Sequence, residues 1–218
     1  MPDLAPSRRT QAKRLHERAR YDHEAIRAIL DAGLICHVGY VFEGHPVVTP
    51  TIYWREDDIL YWHGSSASRM LRAVENAEVC VTVSHLDGLV LARSAFHHSA
   101  NYRSVMLFGR ARLVESSAEK LDRLKGLIES LYPGRWDMLR PTSDLELKAT
   151  RVMWIPIEEA SAKVRTGGPN DDAEDMDATV WAGTVPLQIG AGAPEPDYLT
   201  TVALPQTPAI TKRLLTRG

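Results

Sequence analysis

HHSANYRSVMLFG, residues 97–109, joins a run of small, polar and charged side chains directly to a strand-like apolar segment. The polar half can surround a polar ligand group, and the apolar half can anchor it to a core. Strand alternation puts Tyr102 and Ser104 on one face and Arg103 on the other. Asn101 and Ser104 carry the donors and acceptors that bond the edge of a heterocycle. A polar bulge or turn would use the same residues without any ligand. A second mouth lies upstream, where ILYWHG (59–64) opens into SSASRML (65–71). It places His63, Ser65, Ser66, Ser68 and Arg69 close together. Serine hydroxyls, backbone N–H groups and a guanidinium together are what a phosphate requires. A capped surface helix with an incidental arginine is the alternative. Two such mouths point to a flat, phosphorylated ligand on a β-scaffold.

The segments around them supply that scaffold. The period is helical first: Ala25, Ile26, Ile29 and Leu30 predict a helix over 14–32, which Gly33 can end. It then becomes two. Leu34–Phe42, Pro46–Trp54 and Ile59–His63 read as strands joined by turns at Glu43-Gly44 and Asp57-Asp58. Residues 66–76 predict a short helix capped by Ser66 or Ser68. Val79–Leu86, Val90–Phe96 and Tyr102–Val114 are further strands, the last long enough to serve two sheets or bend round a barrel. Ser116–Glu119 fits a capping box, and the helix that follows ends before Pro133-Gly134. Ala149–Ile157 is a strand, extended by Ala162–Arg165. The fold class expected is mainly β (α+β): a barrel of antiparallel strands with peripheral helices, closed so that no sheet edge is left bare. Its interior is too small for a large ligand, so a flat cofactor would lie in an outer groove, where two subunits meet. Residues 1–13 form an arm, 14–189 the barrel domain and 190–218 an extended tail rich in Pro and Gly.

Composition excludes several classes. The 218 residues are 44% hydrophobic and 25% charged, with net charge −2, so the overall balance gives no reason to expect nucleic-acid binding. Arg8, Arg9, Lys13, Arg14, Arg18 and Arg20 make the start basic, but no aromatic residue is interleaved for base stacking, and a solvated arm or helix is expected. No apolar run approaches the ~20 residues of a membrane span. Cys36 and Cys80 form no CxxC pair and read as reduced thiols, which makes the cytoplasm the expected location. His97 and His98, as neighbours on a strand, point to opposite faces and do not share one ion, and no zinc spacing occurs, so no metal is expected. Trp181, in WAGTVP, is either a core anchor or an aromatic wall beside a ligand, reaching across a dimer.

From about Arg14 to about Pro205 the chain resembles the flavin-nucleotide-binding members of the pyridoxamine 5′-phosphate oxidase-like group, the FMN-binding split barrels. It is also similar to the flavoproteins called nitroimidazole reductases. The resemblance is carried, in order, by GHPVVTPTIYW, LYWHGSSASRML, LDGLVLARSAFHHSANYRSVMLFGRARLV, PGRW, SAKVRTGGPNDD and VWAGTVP. It implies a homodimeric split barrel with FMN between the subunits. The ring-contacting strand falls on Val48, Thr49, Pro50 and Thr51. The phosphate-side contacts fall on His63, Gly64, Ser65, Ser68 and Arg69. Ser104, beside Asn101, Tyr102 and Arg103, matches a polar side chain at the flavin, and Trp181 matches a tryptophan that reaches it from the partner chain. The chain departs from the group at its end: GAGAPEPDYLTTVALP replaces the Arg/His-rich segment of pyridoxamine phosphate oxidases, so that particular activity is not implied. The function expected is an FMN-dependent oxidoreductase passing hydride or electrons between the flavin and a small molecule, with His63 the best-placed acid–base candidate. A non-catalytic flavin carrier and a haem- or deazaflavin-binding relative on the same barrel are the alternatives.

Overall fold

The computed structural model describes residues 3–202. Residues 203–218 of the expected tail, and with them the end of the resemblance near Pro205, lie outside the described residues. In chain order the elements are β1 (Ala19–Arg20), α1 (His23–Asp31), β2 (Ile35–Phe42), β3 (His45–Glu56), β4 (Ile59–Ser65), α2 (Arg69–Ala73), β5 (Glu78–Leu91), β6 (Ser99–Arg110), β7 (Arg112–Leu113), α3 (Ser117–Leu131), α4 (Asp144–Ala149), β8 (Thr150–Pro156), β9 (Glu159–Arg165) and β10 (Gly183–Pro186).

The sheet closes because two long strands change partners along their length. β3 pairs with β2 from His45 to Ile52 and with β4 from Tyr53 to Glu56. β6 pairs with β5 and β9, and past the buried Ala111 the same chain continues as β7 and pairs with β8. The circuit is therefore β6-β5-β2-β3-β4-β8-β7, antiparallel throughout, with β9 outside β6, β1 outside β9 and β10 on the second half of β5. This is the split barrel with peripheral helices that the sequence implies. The β2–β3 turn has both central residues left-handed, Glu43 at φ 51° and Gly44 at φ 81°, the twist that matches a tight hairpin.

Alternation fills the barrel. Cys36, Val38 and Tyr40 point in from β2, and Val79, Val81 and Val83 from β5. Ile26, Ile29 and Leu30 of α1 join the same cluster, which includes Trp62, Leu107, Met153 and Ile155. A smaller cluster of Trp54, Tyr61, Val114, Leu127 and Val152 lies under α3, where the Trp54 and Tyr61 rings stack with centroids 5.5 Å apart.

Four local readings are corrected. The first helix begins at His23, not residue 14: Asp22 caps it by accepting from Ala25 N at 2.7 Å, while Ala19 and Arg20 instead pair with Lys163 and Ala162 of β9. Val79–Leu86 and Val90–Phe96 are not separate strands. β5 runs through as one, its register slipping between Leu86 and Gly88. Asp87 occupies that bulge and is held by Arg103 at 2.8 Å, a form in which one extra residue bends a strand without ending it. Ala162–Arg165 belongs to β9, a strand of its own that crosses to the other sheet. The short helix α4 was not expected, although Ser143 and Glu146 form a reciprocal capping box. Among the described residues, no helix is long and apolar enough to cross a membrane.

Candidate functional site

The outer face of the sheet around β2 is unusual for a closed barrel. One cross-strand row runs Pro50, His37, Thr82, Met106, Ser161. Around it, Ile35, Val41, Val48, Ile52 and Met106 are 39–66% exposed. Exposed apolar side chains gathered on one sheet face mark a surface that binds something.

β3 borders that face and has a bare edge. Its residues 45–52 pair with β2, and no strand pairs with their other side among the described residues. Tyr53 N bonds Leu34 O across to the β2 side at 3.2 Å, so odd-numbered residues turn their amides to β2 and even-numbered ones to the open edge. Both prolines, Pro46 and Pro50, occupy even positions, where a missing N–H breaks no ladder bond. The open edge thus presents the N–H groups of Val48 and Ile52 with the carbonyls between them. The quartet 48–51 is split by the pleat. Val48 and Pro50 lie on the outer face, while Thr49 and Thr51 stand opposite the buried Val38 and Cys36. A planar ligand beside β3 meets this strand mainly through its backbone, and the donors on that edge are the Val48 and Ile52 amides.

The α2 mouth adjoins the tip of the same hairpin. Gly64 lets α2 pack closely, since a Cβ there would meet Leu71 Cδ1 at 3.0 Å. The turn between β4 and α2 is tied by Ser68 N donating to Ser65 O at 2.9 Å, and Ser68 Oγ caps α2 by accepting from Leu71 N at 3.4 Å. Ser65 Oγ accepts from Ala67 N at 3.2 Å. Arg69 is exposed, lies over the Phe42 ring at 5.0 Å, and has no carboxylate partner among the described residues. His63 turns the other way, toward Trp54, with ring centroids 6.1 Å apart and Nδ1 buried without a hydrogen-bond partner.

Burial pushes the His63 imidazole below its ordinary 6.5. The unfolded chain takes up a proton near that pH that the folded chain resists. Stability from this group is therefore complete above about pH 6.5 and is lost as pH falls below it. Denaturation midpoints between about pH 7 and about pH 5 are expected to fall less steeply in His63→Gln than in the wild type. Equal slopes would remove His63 from the pH response.

The β6 mouth divides its four predicted residues. Tyr102 and Ser104 share the outer face; Ser104 Oγ donates to Lys163 O at 3.5 Å. Arg103 points the other way and is held by Asp87. Asn101 is buried: its Oδ1 accepts from Arg165 Nη1 at 2.5 Å and its Nδ2 donates to Gly167 O at 3.1 Å. Arg165, equally buried, also donates to Gly168 O at 3.2 Å. Arg103 and Asn101 are thus committed to the protein itself.

Trp181 is 63% exposed, so it is no core anchor; its ring stands 3.0 Å from where a Cβ on Gly183 would be. The acidic loop after β9 is pinned, not loose. Arg93 bonds Asp171 through its backbone N at 2.9 Å and Nη1 at 2.8 Å, and His97 Nε2 meets Asp172 Oδ2 at 3.0 Å. His97 sits in a 3-10 turn rather than a strand, so pleat alternation does not separate it from His98. Their partners do: His98 Nδ1 bonds Ser94 O at 2.9 Å. His97, Asp172 and Asp175 present ligand atoms within 4.8 Å of one another.

Within one protomer the β3 edge stays apart from the β6 mouth. From β3 to β6 is three strand steps, about 14 Å at ~4.8 Å each. Sequence reasoning missed Arg93, Asp171, Arg165 and Lys163. Arg165 and Asp171 carry a signal in the charges flanking Gly167-Gly168, but only the fold brings Arg93 to Asp171 and Lys163 beside Ser104.

Residues 22–164 match the family model described as pyridoxamine 5′-phosphate oxidase. Among solved structures, the flavocytochrome Anf3 from Azotobacter vinelandii is 49% identical, with TM-score 0.90, over 96% of this chain and 98% of that one. The FAD and haem binding protein from Mycobacterium smegmatis is 35% identical, with TM-score 0.84, over 90% and 97%. A candidate 5-nitroimidazole antibiotic resistance protein from Bacteroides thetaiotaomicron is 25% identical, with TM-score 0.55, over 67% and 86%. No curated protein matches the chain.

Proposed function

This chain belongs to the pyridoxamine 5′-phosphate oxidase family, and on that premise we propose that it is a flavin-binding redox protein. The observation that carries the reading is the bare edge of β3 beside an arginine with no carboxylate partner. Flavin, when bound, supplies hydride and electron transfer. Its ring has a polar edge of acceptors and a donor, which the Val48 and Ile52 amides and the intervening carbonyls complement. Donors held rigidly against that edge favour the charge it gains on reduction. Arg69 and the hydroxyl groups of Ser65 and Ser68 serve the first phosphate, the part that FMN and larger flavins share; the amides of Ser66, Ala67 and Ser68 are already bonded within the protein. Both hydroxyls accept a backbone N–H and keep their own hydrogen to donate.

A second copy completes the site. The apolar face needs a cover. Tyr102 and Ser104 on β6 stand three strands from the same protomer's β3 and do not share one ring with it, and the exposed Trp181 is free to join them. In a homodimer they address the flavin held by the partner. The reaction is electron or hydride transfer to a small molecule, and no side chain touching the ring is committed as an acid.

A second reading is favoured by the two relatives named as a flavocytochrome and as an FAD and haem binding protein. His37 sits mid-row between Pro50 and Thr82 with no hydrogen-bond partner among the described residues. Imidazole on apolar surface is a haem-ligating arrangement. A Soret band in the purified protein supports it, and its absence after haem addition removes it.

The flavin reading is tested by titration with FMN and FAD. Arg69→Ala should weaken flavin binding by about 1.5–3 kcal/mol, roughly tenfold to a hundredfold. Unchanged affinity would take Arg69 off the phosphate, and failure to bind either flavin would overturn the reading. Bleaching by reduced nicotinamide and reoxidation by an acceptor distinguish an enzyme from a carrier.

A further inference from the structure

We infer that the cleft between the N-terminal arm and the outer face of β6–β9 binds the charged end of the small molecule that reacts with the flavin, and that this molecule is a multiply charged organic anion. The inference rests on the flavin reading above and deepens it, because that reading leaves the reactant unnamed and uses no part of the arm.

The arm is built, not loose. Arg9 bonds Glu78 Oε2 at 3.0 Å, pairs with Glu159, and lies over the Phe108 ring at 5.1 Å. Thr10 is buried, its carbonyl accepts from Tyr21 Oη at 3.2 Å, and Ala12 N donates to that hydroxyl oxygen at 3.1 Å. These bonds neutralise Arg9 and fix the chain up to Ala12. The next two residues, Lys13 and Arg14, line a cleft of about 310 Å³, and Lys163 lines it from β9. That volume is at the lower end of small-ligand sites. Lys13, Arg14 and Lys163 have no carboxylate partner among the described residues, and no acidic side chain among them lines the cleft.

Three uncompensated cations in a concave site raise the local concentration of anions. A lone carboxylate leaves some of them unpaired, whereas a phosphate group or a pair of carboxylates engages them together. Ser161 adds a hydroxyl donor, and the exposed Met106 adds an apolar wall for the body of the molecule. The flavin's own phosphate does not compete for the cleft. In the dimer of that reading, the ring facing Ser104 is held by the partner, with its phosphate at that copy's α2. The cations here are left for the second reactant. They cannot serve the β3 edge of their own protomer, since β9 to β3 is four strand steps, about 19 Å. Ser104 joins the two places: it lines the cleft and stands opposite Lys163 in the β6–β9 ladder. A molecule held by its charged end at Lys163 therefore has its other end within reach of a ring at Ser104.

The test is calorimetric titration of the full-length, flavin-loaded protein with inorganic phosphate and with malonate at constant ionic strength, in the wild type, in Lys163→Ala and in Lys13→Ala/Arg14→Ala. The wild type is expected to bind one or both saturably, and the tighter of the two assigns the reactant to phosphate esters or to dicarboxylates. Each variant should lose about tenfold or more in that affinity, the loss of a charge-assisted contact, while its flavin affinity stays within about twofold. The bound anion should also shift the flavin absorption bands over the same concentration range, because Ser104 borders both. Flavin binding without saturable anion binding overturns the inference and leaves the flavin reading standing. Anion binding that the variants leave unchanged, or that leaves the flavin bands unmoved, overturns it as well. A protein that takes up no flavin but binds phosphate or malonate through Lys163 defeats the flavin reading and keeps the anion site.

Discussion

Replacing Trp62 by alanine is expected to cost about 3–5 kcal/mol of folding stability, the range for a large buried aromatic. Trp62 is fully buried in the main cluster, and β4 sets it between Tyr53 of β3 and Met153 of β8. Against a typical stability of about 5–15 kcal/mol, that loss takes about a fifth or more. One term opposes it. The Trp62 Nε1–H is buried with no hydrogen-bond partner among the described residues, and an unsatisfied buried donor costs about 1–3 kcal/mol. Removing the indole also removes that cost. Trp62→Phe keeps most of the ring volume and deletes the donor, so it should cost below about 1.5 kcal/mol, like a volume-conserving core exchange. Urea midpoints of the two variants decide the matter. Equal costs would mean that shape, rather than filled volume, governs the site.

The barrel was largely legible because its signals are local. Burial alternates in β2 as the pattern of Cys36, Val38 and Tyr40 against Ile35, His37 and Val41 predicts. The turns at Glu43-Gly44 and Asp57-Asp58 and the caps Ser68 and Ser116 fall where their chemistry places them. The double duty of the strand through Ala111 showed in its length alone. What failed depends on distant partners. Asp87 bulges instead of turning because Arg103, sixteen residues away, holds its carboxylate. Residues 19–20 leave the helical pattern because β9 offers an edge.

The site was legible by position and less so by role. Val48–Thr51, the stretch for which the resemblance implies ring contact, lies on a border strand, and the pleat divides it. The four-residue spacing of Pro46 and Pro50 carries a signal of the open edge, which the expectation of full closure passed over. Arg69 is exposed without a carboxylate partner among the described residues, whereas Arg103 and Asn101 are spent on ion pairing and loop geometry. No sequence pattern shows that commitment, since it depends on a register slip and on the return of Gly167-Gly168 toward β6.

Asn101→Leu should therefore destabilise the fold more than it weakens flavin binding. Leucine matches asparagine in size but offers Arg165 no acceptor and Gly167 O no donor. The guanidinium is 8% exposed, and its remaining partners are the carbonyls of Gly167 and Gly168. Losing one hydrogen bond to a buried charge and one neutral bond amounts to roughly 2–4 kcal/mol, and a buried cation with too few acceptors is costly in itself. The damage should concentrate where these bonds end. Residues 166–172 lose their tie to β6 while Arg93 still holds Asp171, so the segment around Gly167-Gly168 should become the first site of limited proteolysis. Asn101→Asp is the informative companion. It keeps the acceptor for Arg165 and adds opposite charge, but places a second acceptor against Gly167 O. It should recover more than half of the leucine variant's loss. Melting temperature, cleavage rate in that segment and flavin affinity, measured on both variants, separate the roles. A leucine variant that melts like wild type but has lost flavin affinity would return Asn101 to the flavin edge.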